Sequence, residues 1–294
     1  WYTLSLHDAL PILLFGCLGC AHATVPAPAG PASTVLPASH PECQPATALV
    51  NAVLWMQTAA EYRASARQVY TAARQALDAA LADPEWVGAT EERQGEAGQP
   101  PAIILDLDET VFDNSPFEAR MIRRGIRFNQ AAWDEWVEEA AAAAILGAAD
   151  FLLYARGRGV TPFYVTNRAA GEEAATRRNL QKLGLPLSTE PDTVLVLGER
   201  PEWKTGDKSP RREWVAQSYR VLLLVGDDLN DFANAGDLDL AARNEIVEEH
   251  AAWWGRRWFV VPNPAYGSFE RAVTGPDGTP CEQLQRKVNA LRER

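Results

Sequence analysis

The chain has 294 residues, a formal net charge of −11, 47% hydrophobic residues and ten tryptophans. That length is enough for one sizeable core with an accessory layer, and the composition is ordinary for a globular protein. The acidity argues against a nucleic-acid polymer as partner, because gripping a phosphate backbone takes a basic face. A small phosphorylated molecule stays compatible, provided the basic groups are concentrated locally.

The chain starts without Met or a basic segment. Residues 3–12 (TLSLHDALPI) read like one translation frame of a sequencing-library adapter, so an assembly artefact joined to a truncated gene is expected and set aside from fold reasoning. Next comes Ile12-Leu-Leu-Phe-Gly-Cys-Leu-Gly-Cys-Ala21, which resembles the end of a bacterial lipoprotein signal. Such a signal closes on a small residue before the lipidated Cys. Cys17, with Leu14 at minus three and Gly16 at minus one, fits slightly better than Cys20. The run is far too short to span a bilayer, which takes roughly 20 residues, and an adventitious apolar start is the alternative. The four histidines form no ligand cluster, so the single Cys-x-x-Cys is weak evidence for zinc. Cys43 and Cys281 could pair in an exported protein.

Residues 24–45, rich in Pro, Ala, Ser and Thr, read as a flexible tether. From Ala46 to Ala82 an apolar stripe through Val53, Met56, Ala66, Tyr70, Ala73 and Leu77 predicts two helices ended by Pro84, with a Gly- and Glu-rich loop over 83–99. An apolar run, Ala102 to Leu105, predicts a buried parallel strand. Residues 117–136 are polar and aromatic, and an Ala-rich helix is expected from Val137 to Gly157. Further strands are expected at 160–166, 193–197, 221–225 and 258–261, with a helix from Ala170 to Leu183. Strands alternating with helices predict an α/β fold, a Rossmann-like parallel sheet with helices on both faces. The expected division is 1–45 for signal and tether, 46–100 for accessory helices and loop, and 101–294 for the core with a helical insertion about 117–148.

Chemistry gathers at the strand ends. The first strand runs into Asp106 and Asp108, which alternation places on one side of an extended chain, where open α/β sheets bind ligands. An acidic turn is the bland alternative. A calcium loop fails, since Val111 stands at its sixth position and Phe117 at its twelfth. Thr166 ends the second strand in Tyr164-Val-Thr-Asn-Arg168, Lys208 opens a helix, and Asp227, Asp228 and Asp231 follow another strand. Singly these read as a helix cap, a surface lysine and an acidic turn; together, in order, they make a site. Gly206-Asp-Lys-Ser is no Walker A loop, Cys281 lacks the Arg of a cysteine phosphatase, and no Arg-His-Gly occurs.

The series resembles motifs I to IV of the haloacid dehalogenase-like (HAD) superfamily. Leu54-Trp-Met-Gln-Thr-Ala-Ala-Glu-Tyr-Arg63, Asp106-Leu-Asp-Glu-Thr-Val-Phe-Asp-Asn-Ser-Pro116, Gly226-Asp-Asp-Leu-Asn-Asp-Phe232 and Val261-Pro-Asn-Pro-Ala-Tyr-Gly267 are similar to the class C acid phosphatases, bacterial outer-membrane lipoproteins acting as 5′-nucleotidases. The likeness covers roughly 51–273, with Asp228 where the family often has Asn. It implies a HAD-like core with a smaller helical accessory or cap domain, Mg²⁺ dependence and a tendency to form homodimers. Asp106 would be the nucleophile and Asp108 the acid and base. Thr166, Asn167, Arg168 and Lys208 would hold the substrate. Asp106, the Asp108 backbone carbonyl and Asp227 would hold the metal, oriented by Asp228 or Asp231. Phe117 and Tyr266 are the candidates for stacking on a nucleobase.

The expected function is hydrolysis of nucleoside 5′-monophosphates, nicotinamide mononucleotide included, by an exported lipoprotein of the outer membrane facing the periplasm or the cell surface. The alternatives are a phosphomonoesterase or phosphotransferase without nucleotide preference, and a non-catalytic ligand-binding lipoprotein on the same fold. An intact Asp106/Asp108 pair speaks against the last, since a binding module has no need of an acid/base there.

Overall fold

The computed structural model describes residues 49–91 and 98–293. The signal, the tether, Cys17, Cys20 and Cys43 lie outside the described residues; Cys281 is disulfide-bonded. Two helices come first, α1 (Val50–Thr58) and α2 (Ala60–Ala82), separated by Ala59 in an extended conformation. In α2, Ala66, Tyr70, Ala73, Leu77 and Ala80 are buried, a 4-3-4-3 spacing that lays one stripe on the core.

The central sheet is parallel and ordered β5-β4-β1-β6-β7. Its strands are β1 (Pro101–Leu105), β4 (Thr161–Ala169), β5 (Val194–Leu197), β6 (Arg220–Gly226) and β7 (Trp258–Val260). Alternation along β1 splits its side chains between two layers. Ile103 and Leu105 join Tyr70, Leu77, Phe151 and Leu180 on one face; Ala102 and Ile104 join Trp203, Val215, Phe232 and Trp258 on the other. The first layer contains α2, α5 (Ala148–Gly157) and α6 (Glu173–Lys182); the second contains α7 (Ser209–Ala216). The accessory helix α2 therefore shares its core with the sheet. The chain leaves β1 for β4 and β5 on one side, then returns to β6 and β7 on the other. Asp106 stands where the order reverses, the place where such sheets bind ligands.

One expected element is absent as drawn. The Ala-rich run 137–157 is not a continuous helix. The helices α3 (Ser115–Arg124) and α4 (Gln130–Glu139) precede a left-handed Ala140, and β3 (Ala143–Ala144) pairs antiparallel with β2 (Phe112–Asp113) before α5 begins. Tertiary partners override the helical propensity of alanine. The Asn179 amide brackets Ala142, donating to its carbonyl at 2.9 Å and accepting from its N–H at 3.0 Å. Lys182 donates to the carbonyls of Glu139 and Ala140, ending α4. α8 (Leu240–Glu249) connects β6 to β7, and α9 (Ser268–Thr274) and α10 (Pro280–Ala290) follow the last strand. Among the described residues no helix is long and apolar enough to cross a membrane.

The segment after α2 is pinned to the sheet. Trp86 donates its indole N–H to the Leu222 carbonyl at 2.7 Å, and Trp258 donates to the Gly88 carbonyl at 2.9 Å. A Cβ on Gly88 would fall 2.4 Å from the Leu222 carbonyl oxygen, which belongs to β6 and cannot yield. Gly88→Ala is expected to cost about 1–3 kcal/mol as an overpacked contact, read from the midpoint of chemical denaturation.

Candidate active site

β1 is apolar up to Leu105, and Asp106 continues its ladder by donating its N–H to the Val225 carbonyl at 3.0 Å. The chain then folds tightly, the Leu107 carbonyl accepting from Val111 at 2.8 Å and from Phe112 at 2.7 Å. The turn passes through Glu109 in a left-handed conformation, φ 58°. Its buried carboxylate accepts from the N–H and side chain of Asn114 and from the Tyr266 hydroxyl, which ties the two ends of the site together.

Lys208 precedes α7 and reaches inward, fully within the protein. Its ammonium donates to Asp106 and, at 2.6 Å, to Asp231. The other oxygen of Asp231 accepts the N–H groups of Asp227 at 3.0 Å and Asp228 at 2.9 Å, shaping the loop after β6. Among the described residues Asp227 accepts from neutral donors alone, Thr110 at 3.2 Å and Asn263 at 2.8 Å. Asp228 turns the other way, to the N–H of Asn230 and to Ser268. Of the two acids expected to orient the centre, Asp231 is the one on Lys208.

The carboxylate of Asp108 has other partners. It accepts Arg168 Nε at 3.1 Å, Arg168 Nη2 at 2.7 Å and Asn114 Nδ2 at 2.8 Å. Arg168 lies over the rings of Phe112 and Trp133 and also bonds Thr176. Because β4 runs on to Ala169, Thr166 is fully buried behind the cleft, its hydroxyl accepting from the Arg168 N–H at 3.1 Å. Asn167 and Arg168 do line the cleft.

Two buried arginines escaped the sequence reading. Arg211 donates to the Thr166 carbonyl and to Asn167 Oδ1, bracing the end of β4. Arg212 donates to the carbonyls of Asn230 and Asp231 and pairs with Glu91 at 2.6 Å, bracing the loop after β6. Their adjacency to Lys208 was the available signal, but a basic run more often marks a solvated face.

The acids are crowded. Burial raises the carboxyl of Asp106, opposed by Lys208 and assisted by Asp231 and Asp108. Asp227 is raised by burial and by Asp106 and Asp231. For Lys208 burial works against the charge, but Asp106 and Asp231 outweigh it and the ammonium is held charged. One lysine among these acids leaves a deficit of positive charge. Asp106, Asp227 and Asp231 each offer a carboxylate oxygen, all within 4.8 Å of one another. Hard oxygen donors this close suit a hard divalent cation such as Mg²⁺.

Above this floor opens a cleft of about 1700 Å³. Its wall is aromatic, formed by Phe128, Trp133, Tyr266 and Phe269. Phe117 also lines it but is only 2% exposed, enclosed edge-on by Phe128 and Trp133, so it supports the wall while Phe128, 58% exposed, presents ring surface. Tyr266 packs on the cluster of Val53 and Met56 from α1 and Tyr62 from α2.

The family model for the HAD superfamily, subfamily IIIB (acid phosphatase) matches residues 29–269. The chain belongs to that family. The class C acid phosphatase from Bacillus anthracis superposes on it with a TM-score of 0.74 at 33% identity, covering 85% of this chain and 99% of that one. The tungstate-bound form of that enzyme matches with the same TM-score and identity, over 98% of its length. The stem 31 kDa glycoprotein of Glycine max is 23% identical over 167 residues, 56% of this chain and 58% of that protein. The chain thus spans little more than half of that relative. The fold is that of a class C acid phosphatase of the HAD superfamily, a parallel sheet flanked by helices.

In this phosphatase Gly226 lets the loop after β6 close on itself, since a Cβ there would lie 2.2 Å from Asp231 Oδ2 and 2.4 Å from Asp231 Cβ. Gly226→Ala should push Asp231 off Lys208 and lower kcat at least roughly tenfold, the scale of losing one charged contact. Steady-state kinetics beside a thermal unfolding curve would check this; wild-type kcat would show that Asp231 is not needed on the lysine.

Proposed function

We propose that this acid phosphatase hydrolyses nucleoside 5′-monophosphates through a phosphorylated Asp106, with Mg²⁺ at the acid cluster. The observation that carries the reading is the buried Asp106–Lys208–Asp231 arrangement on the floor of an aromatic-walled cleft. The volume is ample for a whole nucleotide, where a phosphate alone would need a fraction of it. The Bacillus anthracis relative takes tungstate, a tetrahedral oxyanion like phosphate.

Asp106, Asp227 and Asp231 would hold the metal, with the backbone carbonyl of Asp108 as a further donor. When bound it supplies positive charge that relieves repulsion between carboxylate and phosphate. Asp106 attacks phosphorus, forming the P–O bond to its carboxylate as the ester P–O bond breaks, which divides one hard step into two. Asp108 in its acid form gives its proton to the leaving oxygen, then takes one from the water that hydrolyses the aspartyl-phosphate. Arg168 and Asn114 fix the Asp108 carboxylate for this. Lys208 binds a phosphoryl oxygen and compensates charge in the transition state, flanked by Asn167. Thr166, off the cleft lining, steadies Arg168 from behind. Tyr266 and Phe128, both on segments that connect secondary-structure elements, grip the flat base, Tyr266 packed on Val53 and Met56 and Phe128 against Phe117. The N-terminal sequence supports a lipid anchor at Cys17 or Cys20 and an outer-membrane location facing the periplasm or the cell surface, and the family resemblance supports a homodimer.

Two experiments test this. Asp106→Asn should reduce turnover by at least about a thousandfold, the scale of removing a nucleophile, with circular dichroism unchanged; chelation should silence the wild type and Mg²⁺ restore it. Full activity in excess chelator after dialysis would count decisively against the metal. Tyr266→Ala should raise KM for nucleoside monophosphates by roughly tenfold to a hundredfold, from the worth of one base stack. A small non-aromatic phosphate ester should barely notice the change, and equal losses on both would assign Tyr266 to the fold.

A further inference from the structure

Glu118 sits in the first turn of α3, directly after Phe117, and its side chain lines the active-site cleft. It is only 6% exposed, yet among the described residues its carboxylate has no hydrogen-bond or ion-pair partner. Met121 and Ile122, three and four residues further along α3, line the same cleft on its side of the helix. Burial pushes its carboxyl up to about 7, with the charge of Glu270 adding to the effect. Glu270 is itself taken by Lys287, so the two acids do not form a ligand set for a cation.

A carboxylate so largely enclosed, open only toward the cleft and without protein partners, is costly, and proteins seldom keep one that nothing uses. A place near a helix N-terminus favours a negative charge but does not require burying it. Ionised, the group can only accept hydrogen bonds. It repels the phosphate and suits the other end of the substrate. We propose that Glu118 is a specificity-determining residue whose carboxylate accepts hydrogen bonds from donor groups on the organic part of the phosphomonoester. Those donors are the vicinal hydroxyls of a ribose or the exocyclic amine of a base. The assignment rests on the nucleotide reading above and names what the cleft recognises in its substrate. Such a contact discriminates strongly, because a substrate without the donor leaves the carboxylate buried and unpaired.

The test compares wild type, Glu118→Leu and Glu118→Gln on four esters: adenosine 5′-monophosphate, its 2′,3′-dideoxy analogue, purine riboside 5′-monophosphate and p-nitrophenyl phosphate. In Glu118→Leu the ratio of kcat/KM for the adenosine ester to that for p-nitrophenyl phosphate should fall roughly tenfold to a hundredfold, the range for a hydrogen bond to a charged group. The fall should lie mainly in KM. Glu118→Gln, which keeps an acceptor of the same shape, should recover part of the ratio. Wild type should lose the same factor on whichever analogue lacks the donor, which separates ribose from base, and Glu118→Leu should no longer distinguish that analogue. An equal fall on all four esters would make Glu118 a folding residue and overturn the assignment. A preference for the adenosine ester that survives intact in Glu118→Leu would overturn the assignment alone. A wild type without that preference would overturn the nucleotide reading, and this one with it.

Discussion

Lys208 is the interaction on which the rest of the site depends. Its ammonium is buried between Asp106 and Asp231, and it binds the strand carrying the first acid to the loop carrying the others. Taking three charges out of water is expensive, and mutual attraction offsets that expense only when the geometry is good. Removing Lys208 would leave two buried carboxylates uncompensated, whereas removing either acid would leave a single buried ion pair. The trio is also short of positive charge once Asp227 is counted, and that deficit makes the floor of the cleft a place for a cation and an anion together.

The surrounding fold holds this trio still. α7 carries Lys208 at its start and, in the next turn, Arg211 and Arg212. One arginine is bonded to the end of β4 and the other to the loop after β6. A single helix thus braces the strand ends on either side of Asp106. The parallel sheet supplies the rest, because β1, β4 and β6 deliver their carboxyl ends to one edge. Charged residues in the interior are tolerated here because nearly every one is bonded; Arg212, fully buried, has Glu91, Ser209 and two carbonyls.

The cleft above joins three separate parts of the chain. α3 follows the nucleophile, Tyr266 follows β7, and α1 packs behind both. The Tyr266 hydroxyl on Glu109 connects the recognition wall to the catalytic turn.

The sequence by itself was sufficient for the sheet and for the acids at its edge. A buried parallel strand must be a continuous apolar run, and an aspartate that breaks such a run at its end is visible without coordinates. Hence β1, β4, β5, β6 and β7 are each found within a few residues of where they were expected, and Asp106, Lys208, Asp227 and Asp231 converge. The tertiary structure decided what local pattern leaves open. Alanines 140–144 favour a helix in isolation, but Asn179 and Lys182, from α6, hold them as a turn and a short strand. Phe117 and Phe128 are equally aromatic in the chain, and only packing against Trp133 makes one a support and the other a surface. Asp228 and Asp231 are both acids after β6; the closure of the loop over Gly226 turns one to Lys208 and the other to Ser268. Glu118 reads as a routine acid of a helix's first turn, and among the described residues it stands without a partner in the cleft wall because the elements around that cleft come from distant parts of the chain. Charge type and apolar period are local properties, whereas burial and partnership belong to the folded whole.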